Sequence, residues 1–143
     1  MTSKLTEGKR HSAREATIHI RNLRLRTFIG FNPEEMQKQQ DVVINIEIAY
    51  VVAESALRDC VEDALDYKVI TKRVIRHVEE GRFLLLERLV SDLLDLCSGH
   101  PSVRSARVTV DKPHALRFAD SVSLTLEYRA DRANNLRLLE KAS

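Results

Sequence analysis

The chain has 143 residues, 43% of them hydrophobic, the size and composition of one domain with a substantial core. Its formal charge of +2 lies in the tails: residues 1–16 and 129–143 each carry four Lys/Arg and two Asp/Glu, leaving 17–128 slightly acidic. With no Trp and only 5% aromatic residues, neither the charge footprint nor the stacking platform of a nucleic-acid-binding protein is present.

No apolar run is long enough to span a membrane, and residues 1–16 lack the apolar centre of a secretory signal. Cys60 and Cys97 have neither paired spacing nor a metal-ligand cluster around them. These features predict a reduced cytoplasmic protein.

In chain order, residues 1–16 are polar and aperiodic and are expected to form a disordered extension. Ile18 and Ile20 alternate with polar residues. The phase slips at Arg21-Asn22 and resumes at Leu23 and Leu25, which predicts one strand with a bulge. Asn32-Pro33 opens a polar loop to Gln40. Val42, Ile44, Ile46 and Ile48 then alternate with Val43, Asn45 and Glu47 as a half-buried strand. Beyond Val61 the period becomes helical: Val69 or Ile70, with Val74, Ile75 and Val78, share a face that stops at Gly81. A second helix is predicted from about Phe83 to Ser98, with Leu86, Leu89, Val90, Leu93, Leu94 and Cys97 as its stripe. Two further strands follow. Ala106, Val108 and Val110 mark the first, Val122, Leu124, Leu126 and Tyr128 the second. Residues 132–141 allow a short terminal helix.

Four antiparallel strands with two helices on one face make a small α+β layer over residues 17–128. Such a sheet has two open edges, which are usually paired or covered. The expectation is therefore self-assembly, sheet edge to sheet edge, into a larger barrel.

Three segments place chemistry in this frame. Leu65-Asp66-Tyr67, Leu86-Glu87 and Asp111-Lys112-Pro113 supply a phenol, a carboxylate and an amine from three separate elements. Glu87 shares a helix side with Phe83, Val90 and Leu94. A carboxylate there is either a boundary residue reaching solvent or a bidentate anchor for two adjacent N–H donors, such as the guanidine-like edge of a pterin or a guanine. Lys112 is either a surface residue at a hairpin shoulder or a partly desolvated amine that moves protons. Tyr67 is either rim packing or a site hydroxyl, and Glu35 by itself is an ordinary loop acid. The five histidines have no metal-ligand spacing, and four glycines supply no phosphate-cradling loop.

The stretches IRNLRLRTFIGFNPEE, QDVVINIEI, DALDYKVITKRVIRHVEEGRFLLLERLVSDLLD and VTVDKPHALRFADSVSLTLEY together resemble the dihydroneopterin aldolase family over about residues 17–128. Leu23 to Gly30 and His114 to Ser123 look more like its epimerase branch. The resemblance implies the tunnelling fold, a β-β-α-α-β-β protomer, assembled as two stacked tetrameric rings with active sites between protomers. It implies that Glu87 and the Leu86 backbone hold the pterin edge. Tyr67, with the Leu65 and Asp66 backbone, would come from the adjacent protomer. Lys112 would be the principal acid/base group and Glu35 would hold the proton-relay water.

The implied reaction inverts C2′ of dihydroneopterin triphosphate by a retro-aldol/aldol route, with no cofactor and no metal. Arg117, Arg26 or Lys/Arg residues of the tails could meet the triphosphate. Asn32-Pro33-Glu34 and Pro113 depart from the family pattern, beside Glu35 and Lys112 respectively. The alternatives are an aldolase that releases 6-hydroxymethyl-dihydropterin and glycolaldehyde, and a non-catalytic pterin- or purine-binding assembly protein.

Overall fold

The computed structural model describes residues 14–131. Its elements are strand β1 (Glu15–Ile29), helix α1 (Pro33–Gln37), strand β2 (Gln40–Val51), helix α2 (Glu54–Leu57), helix α3 (Tyr67–Glu80), strand β3 (Arg82–Phe83), helix α4 (Leu86–Ser98) and strands β4 (Val103–Lys112) and β5 (Val122–Arg129). The sheet has five strands in the order β3-β1-β2-β4-β5. β1, β2, β4 and β5 pair antiparallel, while the short β3 pairs parallel to β1.

The period-2 pattern builds this sheet directly. Val42, Ile44, Ile46 and Ile48 of β2 point to one face and are almost wholly buried, as are Ala106, Val108 and Val110 of β4. Helices α3 and α4 cover that face with Ile70, Val74 and Val78 from one and Leu89, Val90, Leu93 and Cys97 from the other. The opposite face is polar. It carries the pairs Arg26–Asp41 at 3.0 Å and Arg107–Glu127 at 3.6 Å.

The bulge lies between Ile20 and Leu23, as the phase slip requires. Asn22 takes a φ of 55°, which Asn tolerates better than most residues, and its N–H donates to Asn45 Oδ1 at 3.0 Å. The extra residue returns Leu23 and Leu25 to the helix-covered side.

Several boundaries differ from the sequence expectation. Asn32 to Gln40 is not all loop. The Asn32 side chain accepts from Glu35 N at 2.9 Å, Pro33 occupies the first helical position, and α1 follows. The second helix begins at Leu86 rather than Phe83, because Phe83 belongs to β3 and its carbonyl accepts from Gly30 N at 2.9 Å. β3 makes the sheet mixed, where four antiparallel strands were expected. Glu15 and Ala16 pair with Val51 and Tyr50, so the sheet takes in the last two residues of the expected N-terminal extension. Residues 1–13 and the terminal helix expected over 132–141 lie outside the described residues.

Both long edges of the sheet stay open in the protomer. β3 pairs only with Phe28 and Ile29, leaving the rest of that side of β1 unpaired, and β5 has β4 on one side alone.

Candidate active site

The alternation that buries Ala106, Val108 and Val110 continues for one more step and carries Lys112 onto the same face. Lys112 and Thr27 are the buried polar residues among those described. Charged groups are rarely buried without a partner. Here the partner is Glu35, brought in from the first turn of α1: Lys112 Nζ donates to Glu35 Oε2 at 2.6 Å.

Gln40 completes the cluster. It extends the inward phase of Val42 and Ile44 by one step toward the same end of the sheet, and its amide donates to Glu35 Oε2 at 3.1 Å and to Ile29 O at 2.5 Å. Sequence reasoning missed Gln40. The signal was there, since both Gln40 and Lys112 stand in register with an apolar alternation.

Gly30 makes room for the carboxylate. It has a φ of +127°, a region open to glycine, and a side chain there would collide with the Glu35 carboxyl group. Burial of Glu35 tends to raise its pKa. Hydrogen bonds from Lys112 and Gln40, the Lys112 charge and the Asn32 contact outweigh that, so the group sits below its ordinary 4.5. The result is a carboxylate in direct contact with a desolvated amine, a pair able to hold and exchange a proton.

The start of α4 lies at this same end. β3 runs parallel to β1, so the chain leaves Phe83 beside Gly30 and enters α4 at Leu86-Glu87. Glu87 is solvent-exposed in the first turn of α4, where the helix dipole favours a carboxylate. Within one protomer it therefore answers to the boundary reading, with its carboxylate available to a ligand.

Leu65, Asp66 and Tyr67 lie elsewhere. Tyr67 is 49% exposed in a hollow with Ile18, Ile20, Tyr50, Leu65 and Thr71. Ile18 pairs with Ile48, whereas Lys112 stands level with Val42, so the two ends are roughly 20 Å apart along the strands. Asp66 caps α3, its side chain accepting from Lys68 N at 3.0 Å and Val69 N at 3.3 Å, a role the sequence reading did not assign. Leu65 is buried beneath this turn.

The two arginines differ in setting. Arg26 projects from the helix-free face, opposite Lys112, where Asp41 Oδ1 and Gln39 O hold it at 3.0 and 2.9 Å. Arg117 lies in the exposed loop after Lys112, its guanidinium 5.3 Å from the Phe118 ring centroid. Neither cysteine joins the cluster; Cys97 is in the core, where burial pushes its thiol up to about 12.

The family model described as FolB, dihydroneopterin aldolase, matches residues 18–127. A dihydroneopterin triphosphate 2′-epimerase of Pseudomonas aeruginosa is 56% identical over 111 residues, 78% of this chain and 90% of that protein. One from Escherichia coli is 50% identical over 114 residues, 80% of this chain and 95% of that protein. Among solved structures, the dihydroneopterin aldolase of Escherichia coli in complex with neopterin superposes with a TM-score of 0.73 at 31% identity, covering 79% of this chain and 98% of that one. With a match that takes in nearly all of the sheet and both long helices, this chain belongs to the dihydroneopterin aldolase family.

Proposed function

We propose that the protein is an epimerase that inverts C2′ of dihydroneopterin triphosphate to give dihydromonapterin triphosphate. The observation that carries the chemistry is the buried Lys112–Glu35 contact at 2.6 Å. The 56% and 50% identity to 2′-epimerases, against 31% for the neopterin-bound aldolase, favours inversion over cleavage.

The steps follow from the substrate and these groups. Glu87, with the Leu86 backbone, accepts the two adjacent N–H donors of the pterin edge. A base in the Lys112–Glu35 cluster takes the proton of the C2′ hydroxyl. The C1′–C2′ bond breaks, C2′ becomes an aldehyde, and the electron pair enters the ring through the N5=C6 imine. Protonation of N5 completes the enamine. Reversal with the aldehyde turned to its other face re-forms the bond with C2′ inverted. Lys112 is the principal proton carrier, and Glu35 keeps it charged and placed or holds a relay water. Aldehyde that escapes before re-addition gives the aldolase products instead.

Tyr67 enters this site only from a second copy, since its own Lys112 is at the far end of the sheet. The open edges of β1 and β5 support that assembly, and we assign the particle as an octamer of two tetrameric rings. Arg117, in the loop after Lys112, is the better placed arginine for the triphosphate, because Arg26 is engaged with Asp41 on the opposite face. No helix among the described residues is long and apolar enough to cross a membrane; we assign the enzyme to the cytoplasm.

The test is incubation with dihydroneopterin triphosphate, followed by oxidation and separation of neopterin from monapterin. Monapterin is expected as the main product. A product pool dominated by hydroxymethylpterin would make the protein an aldolase.

A further inference from the structure

Helix α1 carries Glu35 yet has no buried residue of its own. Five residues are too few for such a helix to hold its place by packing or by propensity. Glu35 itself is tied to Lys112 and Gln40, but something must fix the outer side of the turn. Arg82 reaches it: its Nη1 donates to Met36 O at 3.3 Å, one residue beyond Glu35. The same guanidinium lies 3.8 Å from the centroid of the Phe28 ring, a cation–π stack that fixes its plane.

The residue's place in the chain gives this contact its meaning. Arg82 belongs to β3, the two-residue strand that leads within four residues to Leu86 and Glu87. Phe28 is its partner in the parallel pair with β1. One residue on, Phe83 O receives Gly30 N at 2.9 Å, and Gly30 abuts the Glu35 carboxylate. The segment that presents the pterin anchor and the segment that presents the acid–base carboxylate are thus joined by one backbone hydrogen bond and one side chain.

We infer that Arg82 is a positioning residue that sets the distance between the pterin anchor at the start of α4 and the Lys112–Glu35 pair, by fastening α1 to β3. A misplacement of about 1 Å between a held substrate and its proton-transfer group can cost about 10²-fold in rate. Losing Arg82 leaves Glu87 and the sheet intact and lets α1 drift. The loss should therefore appear in turnover and in the ionisation of Glu35, with pterin affinity spared.

This inference rests on the proposed epimerase reading for its kinetic part alone. In Arg82→Met, which keeps the stem and removes the guanidinium, kcat should fall about tenfold or more while the Kd for neopterin by calorimetry stays within about twofold. Arg82→Lys, which can reach the carbonyl but stacks less well on the ring, should recover part of the loss. Without any substrate, carbon NMR of the Glu35 carboxyl should show its pKa rising toward 4.5 in Arg82→Met, because a drifting α1 weakens the contacts that lower it. Should Arg82→Met fail to assemble, Phe28→Leu removes the ring under the guanidinium and should give the same pattern at smaller size. An unchanged Glu35 titration, or neopterin affinity falling in step with kcat, would overturn the inference. A wild-type protein that turns over no pterin would overturn the epimerase reading and leave the Glu35 titration to decide this one.

Discussion

Lys112 and Glu35 are separated by 77 residues in sequence and by 2.6 Å in space. The amine ends the buried row of β4, and the carboxylate hangs from a five-residue helix between β1 and β2. Neither group is at home in that position alone; each supplies the counter-charge that lets the other leave water.

Replacing Lys112 tests the chemistry directly. Lys112→Met fills the same space without the charge, and the partly exposed Glu35 can meet water or take up a proton in place of its lost partner, so the core should hold at some cost in stability. Inversion and cleavage share the bond-breaking step, and both should fall by about 10²–10⁴, the usual value of a positioned acid/base group. Neopterin binding should persist, because the proposed pterin anchor, Glu87, is on α4. Near-normal turnover would assign the proton to another group.

Glu35 links the same pair to pH. Its folded pKa lies below 4.5, so ionisation stabilises the fold. That contribution is present above 4.5 and lost as pH falls through the lower folded value. Wild type should be more resistant to urea than Glu35→Gln at pH 7, with the difference closing as pH falls below 4.5 and through the lower folded value. A difference that widened in acid would reverse the sign of the shift.

Glu87→Gln separates recognition from chemistry. The exposed carboxylate contributes little to the protomer's own core, so folding should be unaffected. A charge-assisted bond to the pterin edge is worth about 1.5–3 kcal/mol, and affinity should drop at least about tenfold. Unchanged titration heats and Kd would remove Glu87 from the anchor.

Subunit mixing tests the shared site. Tyr67→Phe and Lys112→Met should each be impaired alone. Co-refolded hybrids should regain activity, because some interfaces then combine an intact Lys112 with an intact Tyr67 from the next copy. Light scattering should report a particle near eight times 16.4 kDa. A monomer in scattering, or hybrids no better than the parents, would place Tyr67 outside the active site.

The long elements were legible in the sequence because their periodicity is a burial pattern written residue by residue. Val42 to Ile48 and Ala106 to Val110 alternate, α3 and α4 carry apolar stripes, and the slip at Arg21-Asn22 marks a real bulge. The short elements were not. A five-residue helix and a two-residue strand have no period to detect, and each exists because of a partner: Asn32 caps α1, and β1 receives β3.

The site divides along the same line. Sequence marked Lys112, Glu35, Glu87 and Tyr67; the phase of two strands held a signal for Gln40 and Lys112 on the apolar face that went unread, with Gln40 assigned to a loop. Which charge meets which could not be read from that phase. Tertiary structure alone set Glu35 against Lys112 beside Gly30, paired Arg26 with Asp41 and carried Tyr67 to the far end of the sheet. The physical reason is range: alternation reports the solvent each residue meets, whereas an ion pair depends on where chain closure brings residues far apart in sequence.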